Sequence, residues 1–141
     1  MDRQEIVARF WKGVDSHDWD LVASTLADEF TRVGMRADEA DTCRGKANYL
    51  KFVSQVIGKM DHHDLKTRKT FLSADGRYAV VEAIETIEPP GQEPLSMTFL
   101  NVMELNDEGL LTKLDIFWKT PPRMPPDWIT VDAVLSDSES S

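Results

Sequence analysis

Chemistry in this 141-residue chain is concentrated in one acid, one amide and one histidine pair. The phrase "YAVVEAIETIE" (78–88) reads as a strand, and alternation puts Ala79, Val81, Ala83, Glu85 and Ile87 on one face. Small neighbours there would leave room for a ligand, and a carboxylate among apolar groups could serve as base or acid near neutrality. The competing reading is an ion pair: a two-residue "DG" turn would set Lys66 opposite Glu85 and Lys69 opposite Glu82. In "MTFLNVMEL" (97–105), Asn101 shares a face with Met97, Phe99, Met103 and Leu105. An unpaired amide there would cost about 1–3 kcal/mol, so it must have partners. It is a structural amide, a polar group lining a ligand cavity, or a donor to a developing oxyanion.

"DHHD" (61–64) offers His62 and His63, which on a strand point to opposite faces, so only one can reach a pocket. His63 at the pocket mouth is a candidate general base, and a solvated loop histidine is the alternative. Adjacent histidines lack metal-ligand spacing, so no metal is expected. His17 reads as a capping or surface residue. Arg44 and Lys46 could lower the pKa of Cys43, but with no histidine beside it in sequence it is taken as a packing residue. Asp38, Glu39 and Asp41 form an acidic loop, either solvated or holding a base at a cavity rim.

A formal charge of −9 argues against nucleic acid and against anionic membrane surfaces. Hydrophobic content of 41% is enough for one domain with a real core. The single cysteine excludes an internal disulfide and suits a reducing compartment, so a cytoplasmic protein is expected. No signal peptide or membrane span is expected either.

To position these groups, helical periodicity predicts helices over 3–15, from an N-cap at Ser16 or Asp18 to about Asp28, and over 46–60. A short strand is expected at 30–36. Beyond His63 the period falls to about 2, giving strands near 64–73, 77–88, 95–105 and 110–119, separated by "SADGR", "EPPGQEP" and "NDEG". Helices followed by a meander define an α+β domain over 1–128. Pro121–Pro126 should wrap the surface with Trp128 as an anchor, and the acidic, Ser-rich tail 129–141 is expected to be disordered. Pairing Leu105 with Leu110 sets Asn101 opposite Leu114, Phe99 opposite Ile116 and Met97 opposite Trp118, so one apolar face runs across both strands.

Three phrases, "DSHDWDLVASTLADEF", "CRGKANYLKFV" and "LNDEGLLTKLDIFWK", make residues 4–120 resemble the SnoaL-like branch of the nuclear transport factor 2-like superfamily. The resemblance implies a cone: N-terminal helices on the concave face of a curved, mostly antiparallel sheet, enclosing an apolar cavity. Members include ketosteroid isomerases, polyketide cyclases, dehydratases and epoxide hydrolases, and others only bind or dimerise. The ketosteroid isomerase tyrosine position falls at Phe10, its base near Gly34 and its strand acid at Asn101. The limonene epoxide hydrolase arginine and two acids fall at Ala83, Glu85 and Ile116, and its water-holding pair at Arg32 and Gly34. Neither constellation is reproduced.

The resulting expectation is an enzyme doing cofactor-independent acid–base chemistry on a hydrophobic substrate, with Glu85, Asn101 and His63 catalytic. Phe10, Trp11 and Phe99 would contact substrate, together with Met103, Leu114, Ile116 and Trp118, although the aromatics also suit a core. The protein would form a homodimer through the outer sheet face. The alternative is a non-catalytic ligand-binding or dimerisation module.

Overall fold

The computed structural model describes residues 2–36, 38–119 and 131–139. Helix α1 (Arg3–Ser16) is capped by Asp2, whose carboxylate accepts the Glu5 amide at 2.8 Å. Its stripe of Ile6, Val7, Phe10, Trp11 and Val14 is buried. His17 ends the helix in the left-handed region (φ 60°), and the chain turns into α2 (Trp19–Ala23), capped by Asp18. The two helices touch closely because Gly13 has no side chain: a Cβ there would lie 2.6 Å from Cγ2 of Val22.

The second helix stops five residues short of the expected Asp28, and β1 (Leu26–Val33) begins earlier than predicted. "LADE" suits a helix locally, but the Thr25 carbonyl accepts the Leu111 amide at 2.9 Å and Leu26 pairs with Leu111, drawing the segment into the sheet. The predicted loop after β1 contains a 3₁₀ turn (Glu39–Asp41) and a short strand β2 (Thr42–Arg44), which pairs back on β1. Helix α3 (Lys46–Gly58) follows, then β3 (His62–Leu72), β4 (Tyr78–Glu88), β5 (Leu95–Leu105) and β6 (Leu111–Trp118). The strand order is β2-β1-β6-β5-β4-β3, antiparallel except where β1 runs parallel to β6. This is the expected α+β cone, a curved open sheet with helices against its concave side.

The tail departs from expectation. Residues Val131–Glu139, where disorder was expected, form a helix, α4, whose Val131 and Val134 are buried in the core beside α3. The composition is polar, but Val131, Val134 and Leu135 are spaced to form one apolar stripe. The Pro121–Pro126 and Trp128 expectations lie outside the described residues.

Two register details matter for the site. The last hairpin is offset by two residues from the predicted pairing, giving Asn101↔Ile116, Met103↔Leu114 and Phe99↔Trp118. The turn contributes one residue of this, since Leu105 faces Leu111 and not Leu110, and an extra residue at the start of β6 adds the second, so that Glu104 faces Lys113. Beyond that bulge the net shift of two keeps Leu114, Ile116 and Trp118 on the predicted face, whereas Leu111 before it turns into the core. Between β3 and β4 a bulge at Arg68 leaves Lys69 opposite Glu82 as predicted but sets Leu65, not Lys66, opposite Glu85.

Lys66 instead pairs with Asp15 at 2.8 Å, and the other Asp15 oxygen accepts the Leu65 amide at 2.8 Å, tying α1 to β3. Partial burial opposes ionisation of Asp15, but these two partners outweigh it and hold its pKa below the ordinary 3.8. A depressed folded-state pKa means stabilisation that is full above that ordinary value and lost as pH falls through the folded one. Asp15→Asn is therefore expected to cost about 1 kcal/mol at neutral pH. The gap to wild type should narrow in urea titrations as pH falls below 3.8 and through the lower folded-state value.

Candidate active site

Between α1, α3 and the concave sheet face lies a cavity of about 350 Å³. Trp11, Phe52, Ile57, Phe99, Leu114 and Ile116 supply much of its apolar wall, and Lys59, Pro90 and Gln92 also border it. Few polar groups enter: Glu85, His63, Asn101, Arg32 and Tyr49.

Glu85 projects inward from β4, as alternation predicts, beside Ala83 and Ile87. The anticipated Lys66 ion pair is absent because of the Arg68 bulge, and the partner of Glu85 is His63, Nε2 to Oε2 at 2.8 Å. His63 is not a solvated loop residue. It is the second residue of β3 with its side chain only 1% exposed, while His62 points outward and pairs with Asp64. Nδ1 of His63 meets Nε2 of His17 at 2.9 Å. His17, exposed at the end of α1, is thus both the capping residue expected and the outer member of a chain, His17–His63–Glu85.

For the state with Glu85 ionised and both imidazoles neutral, hydrogen-bond logic sets the proton positions. Ionised Glu85 can only accept, so His63 donates from Nε2 and accepts at Nδ1 from His17. A proton added at Nδ1 of His17 can shift through both bonds and emerge on Glu85, leaving both imidazoles neutral. The reverse shifts carry a proton from Glu85 back to the exposed end. Among the described residues, no set of three His, Cys, Asp or Glu could hold a metal ion.

Asn101 is 2% exposed and lines the cavity, but its Nδ2 donates to the Val81 carbonyl at 3.1 Å. Val81 O can only accept, so the amide orientation is set. Oδ1, with no partner among the described residues, is the polar atom left over, an acceptor where a donor to an oxyanion was expected. A better donor is Tyr49 on α3, which sequence reading placed only in an apolar stripe. Burial pushes its phenol well above the usual range, so it stays protonated.

Of the predicted substrate contacts, Trp11, Phe99, Leu114 and Ile116 line the cavity. Phe10, Met103 and Trp118 do not. Phe10 is fully buried, edge-on to Trp11 at 4.8 Å and packed on Phe30 and Tyr49. Met103 is fully buried and its sulfur receives the Trp11 indole N–H at 3.3 Å. Trp118 stacks on Phe99, ring centroids 6.1 Å apart.

Arg32 is the other polar residue that no motif revealed. It is 7% exposed and its Nη1 donates to the carboxylate and carbonyl of Asp41, at 3.2 and 3.1 Å. Asp41 is fully buried, unlike the solvated loop acid anticipated, whereas Glu39 is exposed and paired with Arg44. Gly34 permits the arrangement, since a Cβ there would collide with both Asp41 and Arg32. Cys43 is a packing residue as expected. Burial pushes its thiol up to about 11 despite Arg32, so the anticipated lowering does not occur.

A SnoaL-like domain model matches residues 7–114, most of the chain and all the elements that carry the cavity polar groups. The chain belongs to the SnoaL-like family. No curated protein matches this SnoaL-like chain by sequence. Among solved structures it is similar to SalBIII, an epoxide hydrolase/cyclase-like enzyme of pyran ring formation in salinomycin. The TM-score is 0.70 at 18% identity, covering 84% of this chain and 91% of that one. A Mycobacterium tuberculosis protein in complex with estradiol-17β-hemisuccinate gives 0.71 at 16%, covering 84% and 95%. TerC, co-crystallised with polyporic acid, gives 0.70 at 16%, covering 83% and 91%. At such identities the likeness establishes the SnoaL-like fold and leaves the chemistry to this chain's own residues.

Proposed function

We propose that this protein is a small-molecule enzyme performing cofactor-independent acid–base chemistry on a hydrophobic substrate: isomerisation, cyclisation, dehydration or ring opening. The observation that carries it is a carboxylate, Glu85, set in an apolar cavity and joined through buried His63 to exposed His17. Glu85 takes or gives the proton at the substrate, and the two imidazoles reset it between turnovers. Tyr49 holds a substrate oxygen as a neutral donor, and Asn101 accepts from a substrate hydroxyl. The names of the neighbours lend support: one is a hydrolase/cyclase-like enzyme, and two were crystallised with small cyclic compounds.

The competing reading, a ligand-binding module without turnover, draws on the satisfied amide of Asn101. A panel of steroids, epoxides and polyketide mimics separates the two. Turnover of one of them that needs Glu85 supports the enzyme, whereas tight binding with no turnover anywhere in the panel supports the module.

The same reading includes a homodimer in the cytoplasm. The lone cysteine suits a reducing compartment. Cross-strand neighbours Leu100 and Phe117 are 44% and 52% exposed on the outer sheet face, with Phe71 and Tyr78 exposed on the same sheet. A cluster of that kind on a sheet face marks an association surface. Sedimentation of the wild type is expected to give twice the chain mass, and Phe117→Glu to give one. A wild type that stays monomeric at micromolar concentration removes the dimer from the proposal.

A further inference from the structure

Arg32 is the least economical residue in the cavity wall. Both protons of its Nη1 are used by Asp41, at the carboxylate and at the carbonyl. Its Nε and Nη2 have no hydrogen-bond partner among the described residues, although the side chain is only 9% exposed and the guanidinium lies 4.7 Å from the Phe52 ring centre. Neither atom is sealed off, since Glu82 Oε1 alone is an enclosed side-chain polar atom without a hydrogen-bond partner among the described residues, so both donors can be reached by an acceptor from the cavity that Arg32 lines.

The geometry of what is left open is informative. Nε–H and Nη2–H are the two parallel donors on one edge of the guanidinium, the fork that matches both oxygens of a carboxylate. Asp41, fully buried and bonded also to the Arg36 amide, locks the opposite edge and fixes the orientation. The charges point the same way. The chain carries −9 overall, yet the cavity wall holds buried Arg32, with Asp41 on its far side, and exposed Lys59, beside one lining acid, Glu85.

The elements that hold Arg32 and Glu85 are far apart in the sheet. Arg32 pairs with Leu114 on β6, and β5 intervenes before β4, which carries Glu85. A ligand touching both must place an anionic group at one end and its reacting carbon or oxygen at the other. We infer that the ligand is a small apolar carboxylic acid whose carboxylate is held side-on by Arg32. This deepens the reading of the cavity as a substrate site and rests on it.

The probe pair is 2-naphthoate and its neutral analogue 2-acetylnaphthalene, which share a ring system and differ in the headgroup. Calorimetry on the wild-type protein is expected to show naphthoate binding at least about tenfold more tightly, as two charge-assisted hydrogen bonds warrant. The preference should fall to within about threefold in R32M/D41N, which removes the charge pair together. Should that variant not fold, the wild type still decides: one arginine Nε–H resonance should move on adding naphthoate and stay still with the ketone. Equal binding of both probes, or a preference that survives in R32M/D41N, overturns the role of Arg32 while leaving the cavity reading intact. Failure of both probes to bind removes the cavity reading and this one with it.

Discussion

Replacing Glu85 with Gln is expected to lower kcat by about 10²–10⁴-fold on whichever substrate the wild type turns over. Gln keeps the shape of the side chain and an oxygen that accepts from Nε2 of His63, so the 2.8 Å contact can persist. What it removes is the ability to carry a proton. The fold should be nearly indifferent, with a stability change below about 1 kcal/mol, because no lysine loses a partner: Lys66 is engaged by Asp15. The kinetic signature is a fall in kcat with KM little changed, since binding rests on the apolar wall. His17→Gln offers the complementary measurement. It leaves Glu85 and His63 in place, so activity should survive with an altered pH profile. Unchanged turnover in Glu85→Gln would end the acid–base proposal.

Most of the fold was legible from the sequence because its signals are local and repeated. Strand alternation identified the inward face of β4 and β5, and the two-residue offset of the last hairpin did no harm because it preserves that face. The contents of the site were less legible. Whether Glu85 meets a lysine or a histidine depends on a single bulge at Arg68, which no residue pattern announces. The link from His17 to His63 spans 46 positions and exists only because the turn after α1 lies beside the start of β3. Asp41 looked like a loop acid because its neighbours are polar. Its burial follows from β2 folding back on β1, a contact made by a three-residue strand too short to read. Helix α4 was missed for a similar reason: a weak apolar stripe within an acidic run forms a helix here by packing on α3.

The second large effect is on stability. Asp41→Ala is expected to cost about 3–5 kcal/mol, because it leaves Arg32 without its counter-charge in an almost closed site. For a chain of this length that corresponds to a fall in Tm of about 10–15 °C. The double variant R32M/D41N should recover most of the loss, to within about 2 kcal/mol of wild type, since neither charge is then stranded. Thermal and urea unfolding of the single and double variants give the coupling directly. Additive losses would mean that the two side chains do not act as a unit.

The bare backbone at Gly34 has a consequence for how this scaffold can be altered. A side chain at position 34 is sterically pre-empted by an acid reaching in from residue 41 and by the guanidinium it holds. The two are mutually exclusive occupants of one volume. Grafting an aspartate at 34, just after strand β1, would therefore fail on the native background, and becomes feasible only after the 32/41 pair has been dismantled.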